Sequence, residues 1–162
     1  LGLASLRRLW RSWALPRSLK PPYELLIQAV LDGQRVPAPD SLRGAVALCS
    51  LRRQVAAGVY DAGSLSAPLQ LRVGRKGETM EDADGRAQDV AGVPVLCNEG
   101  GPFAGPLGST RLARVGPGVH RALVAVYLPS GAESAEIEAH LEEASRVIQE
   151  FCGGREIGRL AI

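Results

Sequence analysis

The sequence predicts an α+β fold, in which helices cover a mixed or antiparallel sheet. Three observations lead to this prediction. Apolar residues recur at helical spacing through the first third of the chain, short β-branched runs separated by Gly and Pro follow from Val59, and a helical pattern returns near the end. Helices, then strands, then a helix is the order typical of α+β domains. The chain has 162 residues, of which 46% are hydrophobic, and this is enough for one core.

Helical periodicity predicts helices over residues 3–14, 22–33 and 42–54. In the first, leucine and tryptophan alternate with Arg7, Arg8 and Arg11, so that one face is basic. The second begins at Pro22, which suits a first helical position, and Gly33 fits its C-terminal cap. Its apolar face is predicted to consist of Leu25, Leu26, Ala29 and Val30.

The following part of the chain predicts strands at Val59–Tyr60, Leu69–Val73, Val93–Cys97 and His120–Leu128, with a hairpin-like turn around Lys76–Gly77. A last helix is expected after the turn at 130–134, with Gly153–Gly154 ending it. Its apolar face is predicted to consist of Ile137, Leu141, Ala144, Ile148 and Phe151. The tail 155–162 is predicted to add an edge strand.

The chain is predicted to contain two parts, a basic N-terminal helical segment at 1–20 and one domain at 21–162. The segment carries five basic residues and no acid. Because the first residue is Leu rather than Met, we expect that it belongs to a longer N-terminus. Its basic helix face either packs beside the core or meets RNA phosphates.

Composition argues against several classes of site. Cys49, Cys97 and Cys152 are widely spaced, so we expect reduced, buried thiols and a cytoplasmic location. With only His120 and His140 to help, no metal and no cofactor are expected. The acidic run Glu78, Glu81, Asp82 and Asp84 lacks the spacing of a calcium loop and is interpreted as a solvated hairpin tip. No apolar run is long enough to span a membrane, and the net charge of +2 does not by itself indicate a nucleic-acid partner.

The segment 98–110 is rich in glycine and proline and lies between two apolar runs. It is either a tight connection between strands or a rigid wall where a ligand approaches the backbone, since exposed amides can hold an anion. No phosphate-binding loop and no serine triad accompany it. His120 is interpreted as a surface or structural residue.

Several motifs follow one another in a fixed order between residues 58 and 109. They are Tyr60–Asp61, the run Leu71–Arg72–Val73, Gly77–Glu78, Asp84–Gly85, and the segment Ala104–Gly105–Pro106–Leu107–Gly108. In this order and spacing they resemble the B3/B4 domain of the phenylalanyl-tRNA synthetase β subunit. Ser50–Leu51 and Trp10–Arg11 resemble features of free-standing members, and the resemblance covers about residues 10–154.

The resemblance implies an editing domain, which hydrolyses the ester of mischarged tRNA without a metal or a covalent nucleophile. Backbone groups and the hydroxyls of the terminal adenosine would position the water, so no catalytic side chain is assigned. The implied pocket has a wall, a floor and a mouth, formed respectively by Ala104, Gly105 and Gly108, by Tyr60 and Asp61, and by Asn98 or Glu99. Contacts to the RNA phosphates or the 3′ end are implied for Arg11, Arg72 and Arg114.

The chain departs from the family at three polar positions. Ala47 stands where the family has Asn, Gly58 where it has His, and Leu123 or Ala125 where it has the Glu that reads a tyrosine hydroxyl. Tyrosine is therefore a poor candidate substrate. Three functions stay open at this stage: a deacylase acting in trans, a non-catalytic module that binds RNA or a protein partner, and a binder of a small molecule such as a free amino acid.

Overall fold

A computed structural model describes residues 3–13, 20–36 and 38–162. Within these ranges the chain forms four α-helices: α1 (Leu3–Ser12), α2 (Pro22–Leu31), α3 (Ser41–Arg53) and α4 (Ser134–Cys152). The strands are β1 (Ala56–Asp61), β2 (Gln70–Val73), β3 (Thr79–Glu81), β4 (Ala87–Asp89), β5 (Pro94–Asn98), β6 (Gly101–Gly105), β7 (Gly108–Ser109) and β8 (Ala122–Tyr127). The α+β class is confirmed.

The ends of the helices are set by local sequence. Pro22 occupies the start of α2, and Gly33 follows its end with φ of +68°. The Asp40 carboxylate accepts the amide of Arg43 at 2.8 Å and so caps α3. Gly153, with φ of +67°, ends α4, since a residue without Cβ adopts this left-handed conformation at little cost.

A two-stranded ribbon of β1 and β8 lies at the centre of the core. The strands are antiparallel, with Val59 opposite Val124. On one face of the ribbon α3 and α4 pack together. Val124 of β8 contacts the cluster that these two helices share, Ala45, Cys49, Ala144 and Val147. Val147 is completely buried there.

The other face of the ribbon packs on a four-stranded sheet with the order β2-β5-β6-β7. Tyr60 of β1 clusters with Phe103, Ala104 and Ala113, and Leu96 of β5 packs against them. Alternate residues of β5, Val95 and Cys97, turn to the opposite side, where they meet Met80 and Val90 of the β3–β4 hairpin region. The chain is thus layered as helices, ribbon, sheet and hairpin.

Two predicted helix faces are partly wrong. In α2, Leu25 and Val30 are about half exposed (54% and 50%), while Tyr23 and Ile27 pack against Ala56 and Tyr127. In α4, Phe151 is exposed, and His140 and Val147 are buried instead. Helical periodicity locates an apolar stripe along each helix, but the elements that pack against the helix decide which side of that stripe is buried.

The predicted edge strand at 155–162 is also wrong, because no strand forms after α4 in the described chain. Arg159 instead bonds to Glu138 of α4 at 3.0 Å and to Glu156, and these ion pairs hold the tail beside the helix. Around Lys76–Gly77 a turn does form, closed by the amide of Glu78 on the carbonyl of Arg75. The paired hairpin, however, is β3–β4, which turns over residues 82–86.

A substitution at Gly74 tests the contact between the four-stranded sheet and the β3–β4 hairpin. A Cβ there would collide with the backbone carbonyl of Val90, which cannot move without disturbing the Gly74–Ala91 bridge. We expect Gly74→Ala to lower the free energy of unfolding by about 1–3 kcal/mol in urea denaturation, since overpacking forces the backbone to shift. Gly116→Ala is the control, because no atom lies within 4 Å of a Cβ at Gly116. Equal loss in both variants would contradict this packing.

Candidate functional site: an open groove beside the glycine-rich turn

An open groove of about 260 Å³ lies where five parts of the chain meet, and we call it the edge groove. The start of α3 contributes Arg43, β1 contributes Val59, and the β3–β4 hairpin contributes residues 82–84 and Gln88. The turn between β6 and β7 contributes residues 107–109, and the chain after β7 contributes Arg114 and Val115. Residues more than 70 positions apart in sequence therefore line one site.

Asp82 organises the hairpin side of the edge groove. Its Oδ1 accepts the amides of Asp84 and Arg86, both at 2.9 Å, and its Oδ2 accepts the side-chain amide of Gln88 at 3.1 Å. The bond from the Arg86 amide, helped by that from Asp84, holds the pKa of the Asp82 carboxyl below its usual value. Asp82 is thus committed to the turn and holds Gln88 in place.

Three polar groups lining the edge groove have no partner among the described residues. The side-chain oxygen of Gln88 is buried without a hydrogen bond, although its nitrogen is held by Asp82. The Asp84 carboxylate and the Ser109 hydroxyl make no hydrogen bond within the described chain. The Asp84 carboxylate and the Ser109 hydroxyl are therefore open to a ligand that donates hydrogen bonds, whereas the Gln88 oxygen is enclosed by the protein.

The two guanidinium groups of the edge groove differ in their freedom. Arg43 is paired with Asp40, the residue that caps α3. Arg114 is exposed and forms no ion pair within the described chain. The groove thus carries one uncommitted cation, Arg114, and one uncommitted carboxylate, Asp84.

The glycine-rich stretch forms β6, a tight turn and β7. Gly105 is buried, and a Cβ there would lie 2.9 Å from the carbonyl oxygen of Pro94, so any side chain would push β6 from β5. Gly108 has φ of +143°, a conformation that favours glycine. Of the predicted pocket wall, Gly108 lines the edge groove, whereas Gly105 and Ala104 face the interior.

Side chains fill the interior between the ribbon and the sheet, at the place where the resemblance implies the wall and the floor of a substrate pocket. Ala104 is 0% exposed and packs with Tyr60 and Phe103. The Tyr60 hydroxyl donates to the carbonyl of Gly105 at 3.3 Å and lies 3.0 Å from the Tyr127 hydroxyl. The ring covers Gly58 so closely that a Cβ there would lie 2.7 Å from its Cζ. Any side chain at Gly58 would therefore displace Tyr60.

The positions at which the resemblance implies polar side chains fall in this interior. Gly58 lies directly opposite Ala125 across the ribbon, and Tyr60 lies opposite Leu123. Of the two positions at which the Glu is implied, Ala125 is thus the cross-strand neighbour of the implied His position, whereas Leu123 is not. Ala47 is on α3.

The other predicted site residues lie outside the edge groove. Asp61 uses its carboxylate to accept the amide of Gly63, and Asn98 accepts that of Gly100 in the turn that also contains exposed Glu99. Arg72 makes two bonds to Glu78, at 2.6 and 2.7 Å. These bonds hold the pKa of the Glu78 carboxyl near 2. Arg11 is exposed on α1.

Sequence reasoning missed Arg43, Asp84, Gln88 and Ser109 as neighbours in one site. They come from α3, from the β3–β4 hairpin and from β7, so no single local spacing links all four. Of the acidic run, Asp82 and Asp84 do lie at the hairpin tip, whereas Glu81 ends β3 and Glu78 precedes β3 and pairs with Arg72. The role of this hairpin tip as one wall of the edge groove depends on how the hairpin packs on the sheet.

No model of a known protein family matches this sequence, and no curated protein matches it significantly. Within the described residues no group of His, Cys, Asp and Glu is arranged to hold a metal ion, and no helix is long and apolar enough to cross a membrane. Cys49, Cys97 and Cys152 are free thiols, the first two of them buried.

The tyrosine pair gives an asymmetric stability prediction. Tyr60→Phe leaves the Gly105 carbonyl and the Tyr127 hydroxyl without partners, so we expect a loss of about 1–3 kcal/mol. Tyr127→Phe leaves Tyr60 still bonded to Gly105, so its loss should be smaller. A double-mutant cycle in urea should show that the two losses are not additive. Equal, additive losses would refute the shared network.

Alkaline pH tests the same interior. The sequence contains three tyrosines, and burial raises the pKa of Tyr23 and Tyr60 to about 12 and holds that of Tyr127 well above its usual value. Because the unfolded phenol titrates near 10, their contribution to stability is complete below about pH 10 and is lost as the pH rises towards 12. Tyrosinate absorbance should show no phenol titrating near pH 10 in the folded chain, whereas the urea-unfolded chain should titrate there. A folded-state step near 10 would place a tyrosine on the surface.

Proposed function

We propose that this chain binds the aminoacylated 3′ end of tRNA in the edge groove and hydrolyses the ester in trans. The observation that carries the proposal is the juxtaposition of an uncommitted guanidinium, an uncommitted carboxylate and a glycine turn in one open groove, at Arg114, Asp84 and Gly108. The motif resemblance supports the reaction class.

An aminoacyl ester on RNA carries groups that match these charges. Its α-ammonium is a donor for the Asp84 carboxylate, and its terminal phosphate suits the Arg114 guanidinium. Its side chain would contact Val59 and Leu107, the apolar residues beside the turn. The groove therefore recognises both ends of the ester, and an apolar aminoacyl group fits it better than a tyrosyl group.

The chemical step follows from the resemblance to editing domains. Water attacks the ester carbonyl, the bond between the acyl carbon and the ribose oxygen breaks, and the proton passes to that oxygen. The products are free amino acid and uncharged tRNA. The protein contributes orientation and a site of limited volume, which lower the barrier without a nucleophilic side chain.

A second candidate function is binding of tRNA without hydrolysis. The filled interior favours it, because the ring of Tyr60 occupies the space above Gly58 and no polar side chain replaces the implied pair at Gly58 and Ala125. Under this alternative the edge groove holds the 3′ end and the ester survives.

The test is deacylation of a panel of mischarged tRNAs, with binding of each measured in parallel. Leu107→Trp is the blocking variant, because Leu107 is partly exposed and lines the edge groove. Leu160→Trp is the matched control, since Leu160 is 80% exposed and lies outside the groove. Ala104→Trp is unsuitable, because a completely buried alanine cannot accept an indole without unfolding.

We expect hydrolysis of one class of aminoacyl group, reduced at least about tenfold by Leu107→Trp and unchanged by Leu160→Trp, since a blocked site loses its binding energy. Binding that Leu107→Trp weakens, with no turnover on any tRNA, would establish the second candidate. No binding and no turnover would refute both.

A further inference from the structure

We propose that the segment Thr110–Arg121, which we call the basic loop, binds the phosphates of the RNA strand whose 3′ end enters the edge groove. The proposal rests on the function proposed above and assigns the surface that holds the rest of the nucleic acid. The basic loop connects β7 to β8 and carries Arg111, Arg114, His120 and Arg121, with no acidic residue. All four side chains are exposed.

The backbone of the basic loop is held firmly against the end of β1. The carbonyl of Ala113 accepts the amide of Asp61 at 2.9 Å, and the carbonyl of Arg121 accepts that of Ala62 at 3.0 Å. The Ser64 hydroxyl donates to the carbonyl of Leu112 at 2.6 Å. A loop anchored along its length presents its side chains from fixed positions, which reduces the ordering cost on binding.

Two apolar side chains fix the loop from within. Ala113 is completely buried beside Tyr60 and Phe103, and Val115 is 4% exposed. Arg114, between them in the sequence, pairs with Tyr60 through a backbone bridge and points its exposed side chain to the edge groove. The arginines are therefore carried on a structural part of the core.

The arginines of the basic loop contrast with six arginines elsewhere in the described chain that are paired with a carboxylate. Elsewhere Arg7, Arg43, Arg52, Arg72, Arg146 and Arg159 each form an ion pair with a carboxylate. Arg111, Arg114 and Arg121 form none within the described residues. The nearest acid along the anchored backbone, Asp61, directs its carboxylate to the amide of Gly63. The positive charge of the loop is thus left for a partner.

The residue types of the loop indicate contacts to phosphate. Guanidinium groups bind phosphate oxygens through paired hydrogen bonds, and the loop has no aromatic side chain on which a base could stack. Because Arg114 belongs both to the loop and to the edge groove, a strand bound along the loop continues into the groove. This continuity favours RNA as the partner over an acidic protein, because an RNA strand bound along the loop would place its aminoacylated 3′ end in the groove, whereas a polypeptide carries no such ester.

The experiment measures the binding of uncharged tRNA as a function of salt for the whole chain and for Arg111→Gln/Arg121→Gln, two positions outside the edge groove. The control is Arg35→Gln/Arg155→Gln, which removes the same charge from exposed arginines without ion pairs in the described chain. The logarithm of affinity falls with the logarithm of salt by about 0.7–0.9 for each phosphate contact. The loop variant should therefore bind more weakly and reduce this slope by about 1.4–1.8, whereas the control keeps it.

An unchanged slope in the loop variant would overturn the proposal, as would binding of polyglutamate in preference to tRNA, which would identify an acidic polypeptide as the partner. Aminoacyl-adenosine, which has no bridging phosphates, serves as the groove probe. Its binding should be abolished by Leu107→Trp and unaffected by the loop variant.

These probes separate the two proposals. If the loop variant keeps full tRNA affinity while aminoacyl-adenosine still binds in the groove, the basic loop is wrong and the proposed function stands. If tRNA binding depends on the loop but neither aminoacyl-adenosine nor the ester is recognised, the loop stands and the proposed function fails. If tRNA does not bind at all, both are refuted.

Discussion

The buried hydroxyl of Tyr60 connects the parts of this molecule on which the candidate site depends. It donates to Gly105 of β6 and meets Tyr127 of β8, so it joins the sheet to the ribbon. The ring fits only because Gly58 has no side chain beneath it. By holding β6 at Gly105, this contact also fixes the turn that follows, and that turn forms one side of the edge groove. The backbone bridge from Tyr60 to Arg114 sets the start of the basic loop in the same way.

Some charged groups of the chain bind other groups of the protein and stabilise its fold, whereas others have no such partner within the described residues. Asp40 caps α3 and holds Arg43, Asp82 holds the hairpin turn, and Glu78 binds Arg72. Because these groups already have partners, a ligand gains little from them. Asp84 and Arg114 have none within the described chain and meet at one groove. Function is therefore assigned to the groups that folding does not use.

Local chemistry made most elements predictable, whereas contacts between elements did not follow from it. Pro22, Gly33 and Gly153 marked helix ends because capping depends on a few adjacent residues. The exposed sides of Leu25 and Phe151 could not be predicted, because they depend on where the ribbon and α3 lie. The same reason applies to the candidate site: Gly108 belongs to a motif visible in the sequence, but Gln88 reaches the groove only through the packing of the hairpin.

The interior between the ribbon and the sheet has Gly58 and Ala125 at positions where the resemblance implies polar side chains. This difference bears on where the proposed ligand would bind. A histidine and a glutamate facing each other across the ribbon would require partners or water, since unpaired polar groups are costly to bury. Gly58, Ala125 and the ring of Tyr60 fill that space without such groups, apart from a hydroxyl that is bonded. The interior between the ribbon and the sheet is therefore filled by side chains. A ligand has to be met from outside, by the turn at Gly108 and by side chains that solvent reaches, and for this reason the proposed function is placed at the edge groove and the basic loop.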